Sequence, residues 1–384
     1  NTKLKILKQG ENMANNEFNF NNGSFFNEIM TKFEKIKKEE QENNKLNVLI
    51  LGKTGAGKST LINTVFGEKV AKTGSGSPIT ANLNKYEKDG LCIYDSKGLE
   101  IKDDKGIDNL KQFIEDQKAK EPSDQIHLVW FCICEANRRI EPQEKELIKF
   151  LKSEKFCTIL VITKAQQDKD ENGCSFKDIV KKELELDDEK IERVRAIAIE
   201  DDEGNVKKLL GIKELVNKTY CFLNEGQKNA FARKQQYDKD LKREACKEKA
   251  QDKIKYYAGL SSTVALSPIP FSDFPLIATN QCAMIYHISM IYELNLSSKD
   301  DALKILTALL ATGVAGFAVK TLATGLMKFI PGVNFIGGAI NATVAYNATK
   351  KIGEFYIDYL DEHFEDIQNG KKLDFEFKNL SIEK

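Results

Sequence analysis

The sequence is poor in the residues that build histidine metal sites, and it has no excess of either charge. It contains three histidines, and Lys+Arg and Asp+Glu both number 58, which gives a formal net charge of zero. His127, His287 and His363 lie far apart, so a histidine-rich metal site or a local catalytic triad has little support. Without an overall basic field, we do not expect nucleic acid to be a partner.

Disulfide and signal-peptide patterns are also missing. None of the eight cysteines belongs to a Cys-x-x-Cys pair, which is typical of reduced thiols in a reducing compartment. The first forty residues are rich in Asn and Lys and have no apolar segment, so no cleavable signal peptide is expected. We therefore expect a cytoplasmic protein, and a peripheral position on the inner face of a membrane stays open.

Charge is distributed unevenly along the chain. Only eight charged side chains lie in residues 257–349, and uncharged runs cover 274–292 and 329–349. The length of these two runs makes them candidate membrane spans. Pro275, Asn280 and Pro331 interrupt them, however, and unpaired polar groups are costly in lipid. A packed helical domain is the favoured interpretation, with membrane insertion or contact as the alternative.

Hydrophobic periodicity predicts helices at both ends of the chain, in contrast to the alternating strands and helices of its middle. Residues 1–22 are polar and are predicted to form a flexible tail, and residues 23–44 are predicted to form an amphipathic helix. The apolar stripe from Phe25 to Ile36 on this helix requires a partner surface, which we predict to be the C-terminal helical domain. That domain is predicted over 225–384, entered through a charged connecting helix over 225–255.

The segment 45–224 alternates short apolar runs with amphipathic helical patterns. Predicted strands cover 47–51, 91–94, 127–133, 157–163 and 194–199. Strands separated by helices predict a mostly parallel sheet with helices on both faces, which is a three-layer α/β domain. The fold prediction is therefore an α/β domain followed by an all-α domain that includes the N-terminal helix.

A glycine-rich loop follows the first predicted strand. Residues 52–59 read Gly-Lys-Thr-Gly-Ala-Gly-Lys-Ser, and a helical pattern begins at the end of this loop. Glycines let such a loop aim backbone N–H groups at phosphate oxygens, and the helix N-terminus adds its positive dipole. Lys58 is expected to reach the β- and γ-phosphates, and the Ser59 hydroxyl is expected to bind Mg²⁺. The predicted nucleotide-binding residues of the loop are Lys53, Thr54, Gly55, Ala56, Gly57, Lys58, Ser59 and Thr60.

Two further segments extend this phosphate site. Asp95 follows a predicted strand, where its carboxylate can hold a magnesium-bound water, and the N–H of Gly98 can reach the γ-phosphate. Thr80 lies in a polar segment between the two motifs, and its hydroxyl can join Mg²⁺ when a triphosphate is bound. An ordinary strand-ending turn and a loop threonine are the alternatives. The predicted metal ligands are Ser59, Thr80 and Asp95, and the predicted residues of the reaction are Lys58, Thr80 and Gly98.

These motifs, with Thr163-Lys164 at the end of a later strand, resemble the Era-like and septin-like P-loop GTPases of the TRAFAC class. The sequence of residues 52–63, GKTGAGKSTLIN, is also similar to the phosphate loop of immunity-related and AIG-type GTPases. Residues 265–294 and 328–357 resemble the YcjF-like helical domain of unknown function. The resemblance implies a P-loop G domain over 45–224 that uses GTP/GDP and Mg²⁺, followed by that helical domain.

The base-reading motif departs from the family pattern. The family motif [NT]KxD ends in a carboxylate that accepts hydrogen bonds from guanine, whereas this sequence has Thr163, Lys164 and Gln166. A glutamine oxygen can accept such bonds, but it lacks the charge that strengthens guanine preference. Ala198 is a weak match to the family's serine-alanine turn. The resemblance implies GTP, and a relaxed or ATP-using site is the alternative.

The residues expected to assist hydrolysis also depart from relatives. Leu99 stands where Ras-like enzymes carry the glutamine that orients the attacking water, so slow intrinsic hydrolysis is expected. We expect turnover to rise when two G domains form a homodimer and supply groups in trans, as in septin-like relatives. Arg138 and Arg139 are candidates for these groups, although a solvated, salt-bridged helix start is the favoured alternative for them.

Taken together, these expectations define a nucleotide switch with slow GTP hydrolysis. The switch would control a helical domain that contacts a protein effector, a membrane surface or a second copy. One alternative is an oligomerising, membrane-remodelling module in which hydrolysis is secondary. An Era-like RNA- or ribosome-associated GTPase is least favoured, because no KH-type GXXG segment follows the predicted G domain.

Overall fold

The computed structural model describes two units of the chain. They are Asn1–Lys38 with Cys246–Lys384, and Glu39–Ala245. The residues described are 24–43, 45–67, 77–80, 83–88, 90–96, 104–200, 202–265, 273–294, 296, 299–311, 342–373 and 375. The predicted tail over 1–22 and the predicted phosphate contact Gly98 lie outside these residues. The domain boundaries given by the sequence stay predictions.

A seven-stranded sheet forms the centre of the unit Glu39–Ala245. Its strands are β1 (Leu46–Leu51), β2 (Ser77–Thr80), β3 (Leu83–Lys88), β4 (Leu91–Ser96), β5 (Leu128–Cys134), β6 (Thr158–Thr163) and β7 (Ile191–Arg193), in the order β2-β3-β4-β1-β5-β6-β7. Strands β4, β1, β5, β6 and β7 run parallel, and β3 and β2 extend one edge in antiparallel orientation. The chain passes from β1 to one side and then to the other, and ligands bind parallel sheets where the strand order reverses.

Helices cover both faces of this sheet. They are α2 (Lys58–Phe66), α3 (Asp104–Lys118), α4 (Pro142–Ser153), α5 (Phe176–Leu184), α6 (Ile212–Phe222) and α7 (Glu225–Lys234). Alternate residues of β1 point to opposite faces, so Leu49 packs in the core with α3, α4 and α5, and Val48 packs in the core with α2, α6 and α7. This arrangement confirms the predicted three-layer α/β fold.

The predicted strand over 194–199 differs from the structure. Strand β7 ends at Arg193, and the N–H of Val194 still donates to the Ile162 carbonyl at 2.8 Å. Arg195 then forms an isolated bridge with Leu210, and a separate hairpin follows with β8 (Ile199–Glu200) and β9 (Val206–Lys207). The apolar run therefore leaves the sheet early, because its second half pairs with a later segment of the chain.

The described part of the other unit consists of helices. With α1 (Ser24–Asn43) and α8 (Lys239–Val264), which extend past the division between the units, the helices are α9 (Asp273–Ile291), α10 (Lys299–Ala311), α11 (Ala342–Glu362) and α12 (Phe364–Gln368). Phe33 and Ile36 of α1 belong to the same apolar core as α9 and α11, and the Phe33 ring stacks on Tyr286 with centroids 3.8 Å apart. This contact confirms, for the described residues Phe33 and Ile36, that the N-terminal stripe packs on the C-terminal helices.

The charged segment 225–255 forms two helices rather than one connecting helix. Between α7 and α8, the Gln235 side chain accepts hydrogen bonds from the N–H groups of Tyr237 and Asp238 at 2.9 and 2.8 Å. The Asp238 carboxylate then accepts the N–H of Leu241 at 3.0 Å, which starts α8. Local side-chain bonds to the backbone therefore interrupt the helix, and Phe231 of α7 packs in the core of the sheet unit.

The first uncharged run, 274–292, forms most of helix α9. This helix has apolar residues buried around its circumference, and it also buries Thr279, Asn280, Gln281 and His287. The Gln281 amide donates to the Thr349 hydroxyl of α11 at 3.1 Å. The second run, 329–349, lies outside the described residues up to 341. Within the ranges described, no helix has both the length and the apolar character that a membrane span requires.

Candidate functional site

A loop with left-handed glycines connects β1 to α2. Gly52, Gly55 and Gly57 have φ values of 137°, 79° and 83°, and Gly57 is the N-cap of α2. A Cβ at Gly52 would lie 2.3 Å from the carbonyl oxygen of Cys132 in β5, so no side chain fits there. The loop therefore has the tight backbone path that phosphate-binding loops use.

Lys58 is the first residue of α2, and its ammonium lies within this loop. Its ammonium donates to the carbonyls of Gly52 and Lys53 at 2.7 and 2.9 Å, and the residue is 7% exposed. Burial lowers the pKa of Lys58, and the nearby Asp95 carboxylate partly offsets this effect. A cation with so little water around it interacts strongly with an arriving anion, because the local dielectric screens it weakly.

The remaining loop residues differ in exposure. Thr54, Gly55 and Ser59 are exposed, and Thr60 is half-buried in the first turn of α2. Ala56 is buried. The other predicted loop residues, Lys53 and Gly57, are half-buried. The open side of the loop thus presents Thr54, Gly55 and Ser59, while Ala56 and Lys58 lie beneath the surface.

The predicted metal ligands come from neighbouring elements. Asp95 is in β4, is 4% exposed and pairs in register with Ile50 of β1, while Ser59 is in the first turn of α2. Thr80 ends β2, and the register joins it through Leu83 to Ser96, the residue after Asp95. Carboxylate and hydroxyl oxygens are the ligands that Mg²⁺ prefers, so this donor set fits the ion.

Phosphate oxygens would have to complete such a site. Across the described part of the chain, no group of three or more His, Cys, Asp or Glu residues could hold a metal ion. Magnesium at phosphate sites commonly uses one or two protein ligands together with substrate oxygens and water.

Of the predicted base-reading residues, Thr163 ends β6, Lys164 and Gln166 follow it, and Ala198 immediately precedes β8. The Thr163 hydroxyl donates to the Ala56 carbonyl at 2.5 Å, which ties the end of β6 to the phosphate loop. Lys164 has a left-handed φ of 54°, and the side chains of Lys164, Gln166 and Ala198 are exposed. The structure thus brings Thr163 and the side chain of Lys164 to the phosphate loop, because a Cβ at Gly57 would lie 3.7 Å from the Thr163 Cβ and 3.8 Å from the Lys164 Cγ. It places Gln166 and Ala198 on the surface beyond the strand ends.

Sequence reasoning missed three residues that hold this region. Glu135 follows β5, Arg193 ends β7 and Arg195 follows it. The Glu135 carboxylate accepts the Nε and Nη2 groups of Arg193 at 2.9 and 3.1 Å, and the Arg195 Nε donates to the Ala165 carbonyl at 2.8 Å. For Glu135 the available signal was a charge immediately after a buried strand, whereas Arg193 ends its strand and Arg195 is two residues beyond it, so their positions in the sequence did not single them out.

The segment between β5 and α4 contacts the phosphate loop through charges. The Lys53 ammonium lies 2.5 Å from the Glu141 carboxylate, and the Arg139 guanidinium lies 3.5 Å from the same carboxylate. The Lys53 hydrogen bond holds the pKa of Glu141 below its usual value. Arg138 instead donates to the carbonyls of Gln167 and Asp168 at 3.3 and 2.5 Å. Arg138 therefore contacts the loop after β6, whereas the side chain of Arg139 is 76% exposed.

This fold and this loop define a P-loop nucleotide-binding domain, and comparison with known proteins narrows the class. Residues 47–164 match the family described as 50S ribosome-binding GTPase, and residues 229–374 match the family described as Domain of unknown function (DUF697). The two matches support a P-loop GTPase domain with a helical C-terminal domain. They confirm the resemblance that the motifs indicated.

Individual proteins are also similar to parts of this chain. Neuronal-specific septin-3 from Rattus norvegicus and from Homo sapiens are both 27% identical over 169 residues, covering 36% of this chain and 47% of each relative. The chain thus spans about half the length of the curated relatives it matches. A dimerization-deficient mutant of Toc33 from Arabidopsis thaliana is a structural match at 17% identity and a TM-score of 0.31, covering 54% of this chain and 92% of that one.

Proposed function

We propose that this chain binds GTP with Mg²⁺ and hydrolyses it slowly, acting as a nucleotide switch. The observation that carries the proposal is the position of Lys58, whose buried ammonium lies within a loop of left-handed glycines. That geometry suits a polyphosphate, because the ammonium exchanges carbonyl partners for phosphate oxygens while backbone N–H groups face the ligand.

The roles of the other phosphate-side residues follow from their chemistry. Ser59 and Asp95 would hold Mg²⁺, with Thr80 joining when the γ-phosphate is present, and the ion would neutralise charge on the phosphate oxygens. Hydrolysis forms a bond between a water oxygen and the γ-phosphorus and breaks the bond to the β-phosphate oxygen. GDP, inorganic phosphate and a proton are released. Slow turnover is expected because Leu99 cannot orient water.

The preference for guanine rests on fewer residues than the binding of the phosphates does. Lys164 and Gln166 would read the base, and the Gln166 amide offers both an acceptor and a donor. A carboxylate would reject adenine more strongly, so the discrimination is expected to be modest. The switch element would be the segments around Thr80 and Asp95, which respond to the γ-phosphate, and the helical domain would pass the change to a protein effector, a membrane surface or a second copy.

Calorimetric titration with GTP, GDP and ATP, with and without Mg²⁺, tests this function directly. We expect GTP and GDP to bind in the presence of Mg²⁺, and Lys58→Ala to abolish GTP binding and phosphate release. Lys45→Ala is the matched control, because Lys45 pairs with Asp124 at 2.7 Å instead of contacting the loop. Folded protein with no affinity for any nucleoside triphosphate would overturn the proposal.

A further inference from the structure

A single buried carboxylate lies beneath the loop that follows β6. Glu135 is 2% exposed, and its Oε1 atom accepts the backbone N–H groups of Gln166 and Gln167 at 3.1 and 2.8 Å. The Arg193 guanidinium donates two further bonds to the same carboxylate, at 2.9 and 3.1 Å. Every group that contacts the Glu135 carboxylate in these four bonds is therefore a donor.

These bonds join the ends of three adjacent parallel strands. Glu135 follows β5, Gln166 and Gln167 follow β6, and Arg193 ends β7. A buried carboxylate is costly unless it is paired and hydrogen-bonded, and the bidentate arginine together with two amides meets that condition. The N–H groups of Gln166 and Gln167 are thus held by one charge at the carboxyl edge of the sheet.

Other backbone groups of the loop are also held. The Ala165 N–H donates to the Val194 carbonyl at 3.0 Å, and the Ala165 carbonyl accepts from Arg195 at 2.8 Å. The Gln167 carbonyl accepts from Arg138 at 3.3 Å. The backbone from 165 to 167 is therefore held by the segments that follow β5 and β7 before any ligand arrives, which is the arrangement that preorganised binding loops require.

Two side chains of this loop take no part in the described network. Lys164 and Gln166 are both exposed, and they are the residues that the sequence places against the nucleobase. A neutral amide at position 166 reads a base through the direction of its hydrogen bonds, so its contribution depends on how accurately the backbone beneath it is held.

We propose that Glu135 is a positioning residue for nucleobase recognition. It holds the backbone of Gln166 and Gln167, so that selection among nucleobases depends on Glu135 while binding of the phosphates does not. This inference rests on the proposed function, because it concerns the base side of the same nucleotide site.

Glu135→Gln is the first test, because a carboxamide of the same shape would place an NH₂ donor against groups that are themselves donors. We expect about tenfold weaker GTP binding, the effect typical of losing a hydrogen bond to a charged group. Affinity for magnesium tripolyphosphate, which has no base, should stay unchanged. The preference for GTP over ATP and ITP should fall toward one.

Glu192→Gln is the matched control. Glu192 lies on β7 beside Arg193, and its carboxylate pairs with Lys218 at 2.7 Å and accepts the Arg193 backbone N–H at 3.1 Å, so it tests a neighbouring half-buried carboxylate that does not bind the N–H groups of Gln166 and Gln167. This variant should retain the base preference. If Glu135→Gln does not fold, Arg193→Lys retains the positive charge but cannot form both bonds, and it should lower the base preference in the same direction by a smaller factor.

A double-mutant cycle separates positioning from general stability. Gln166→Asp should strengthen the preference for GTP in the natural sequence and should lose that gain when combined with Glu135→Gln. Equal weakening of GTP and tripolyphosphate in Glu135→Gln, or an unchanged gain from Gln166→Asp in that background, would overturn the inference. Absence of nucleotide binding by the natural sequence would instead contradict the proposed function, so the two failures are distinguishable.

Discussion

At the scale of single residues, the salt bridge between Lys53 and Glu141 places a fixed negative charge beside the phosphate loop. Its two charged groups are 2.5 Å apart and each side chain is about one-third exposed or less. An incoming polyphosphate carries the same sign as Glu141 and competes with it for Lys53. Glu141 is therefore expected to weaken phosphate binding.

We predict that Glu141→Gln strengthens GTP binding several-fold, and GDP binding by a smaller factor, because the γ-phosphate adds charge near the freed lysine. Titrations at low and high salt would measure this effect, which salt should reduce. Glu146→Gln is the control, since Glu146 is on α4, the helix that Glu141 caps, and pairs with Lys111 at 2.6 Å. Unchanged or weaker GTP binding in Glu141→Gln would contradict the prediction.

Residues of the phosphate side could be predicted from the sequence because the loop is contiguous. Gly52, Lys58 and Ser59 lie within eight positions, and each has a chemical reason for its place. Glu135 and Arg193 are 58 positions apart, and their meeting depends on the register of β5, β6 and β7. A carboxylate after an apolar run resembles many surface residues, so only the assembled sheet identifies it.

At the scale of elements, the edge strand β2 could not be predicted from the hydrophobic pattern. The sequence indicates a polar loop where the structure has β2, a four-residue strand of Ser-Pro-Ile-Thr. Four residues are too few to display an alternating pattern, and proline is normally excluded from central strands. β2 can hold Pro78 because it is at the edge of the sheet, where one side of the strand pairs with β3.

The break between α7 and α8 depends on one glutamine. Gln235 is 0% exposed, and its amide accepts two backbone N–H groups and donates to the carbonyls of Ala232 and Asp238 at 3.1 and 2.7 Å. We predict that Gln235→Ala lowers the free energy of unfolding by about 2–4 kcal/mol, because several buried backbone groups lose their partners.

Urea denaturation monitored by circular dichroism would measure this change. Gln227→Ala, a change at the exposed start of α7, should cost less than about 1 kcal/mol, because its bond to the Asn224 N–H is long at 3.4 Å. A loss of stability in Gln235→Ala no greater than in Gln227→Ala would contradict this account of the helix break.

At the scale of the whole molecule, hydrolysis is expected to depend on protein concentration. Arg138 is engaged with the loop after β6, so Arg139 is the candidate to act in a second copy. We predict that phosphate release per chain rises with concentration and that Arg139→Ala removes this rise while leaving the rate at low concentration unchanged.

Arg243→Ala provides the comparison, since Arg243 is a half-exposed arginine of α8 that pairs with Asp240 at 3.5 Å. It should retain the dependence on concentration. Phosphate release per chain that stays constant over a hundredfold range of concentration in the natural sequence would contradict the predicted homodimer.

The division into an α/β unit and a helical unit was predicted from contrasts in composition along the chain more than from any single motif. Alternating apolar runs indicated the three-layer unit, and the stripe containing Phe33 and Ile36 indicated a partner among the C-terminal helices. The break between the two helices of segment 225–255 could not be predicted, because the charge pattern is equally compatible with one helix or with two. The side-chain hydrogen bonds of Gln235 and Asp238 to the backbone end α7 and start α8, and these bonds depend on local geometry.

The hydroxyl of Thr163 reaches across 107 sequence positions to Ala56, and that of Thr64 reaches across 132 to Ala196. Contacts of such long range form late when a chain folds, because distant strands must first pair. We therefore expect the proposed nucleotide pocket to form only with the assembled sheet, and a nucleotide that binds there would raise the stability of the native state by mass action. Occupancy by nucleotide would then report whether a newly made chain has folded completely.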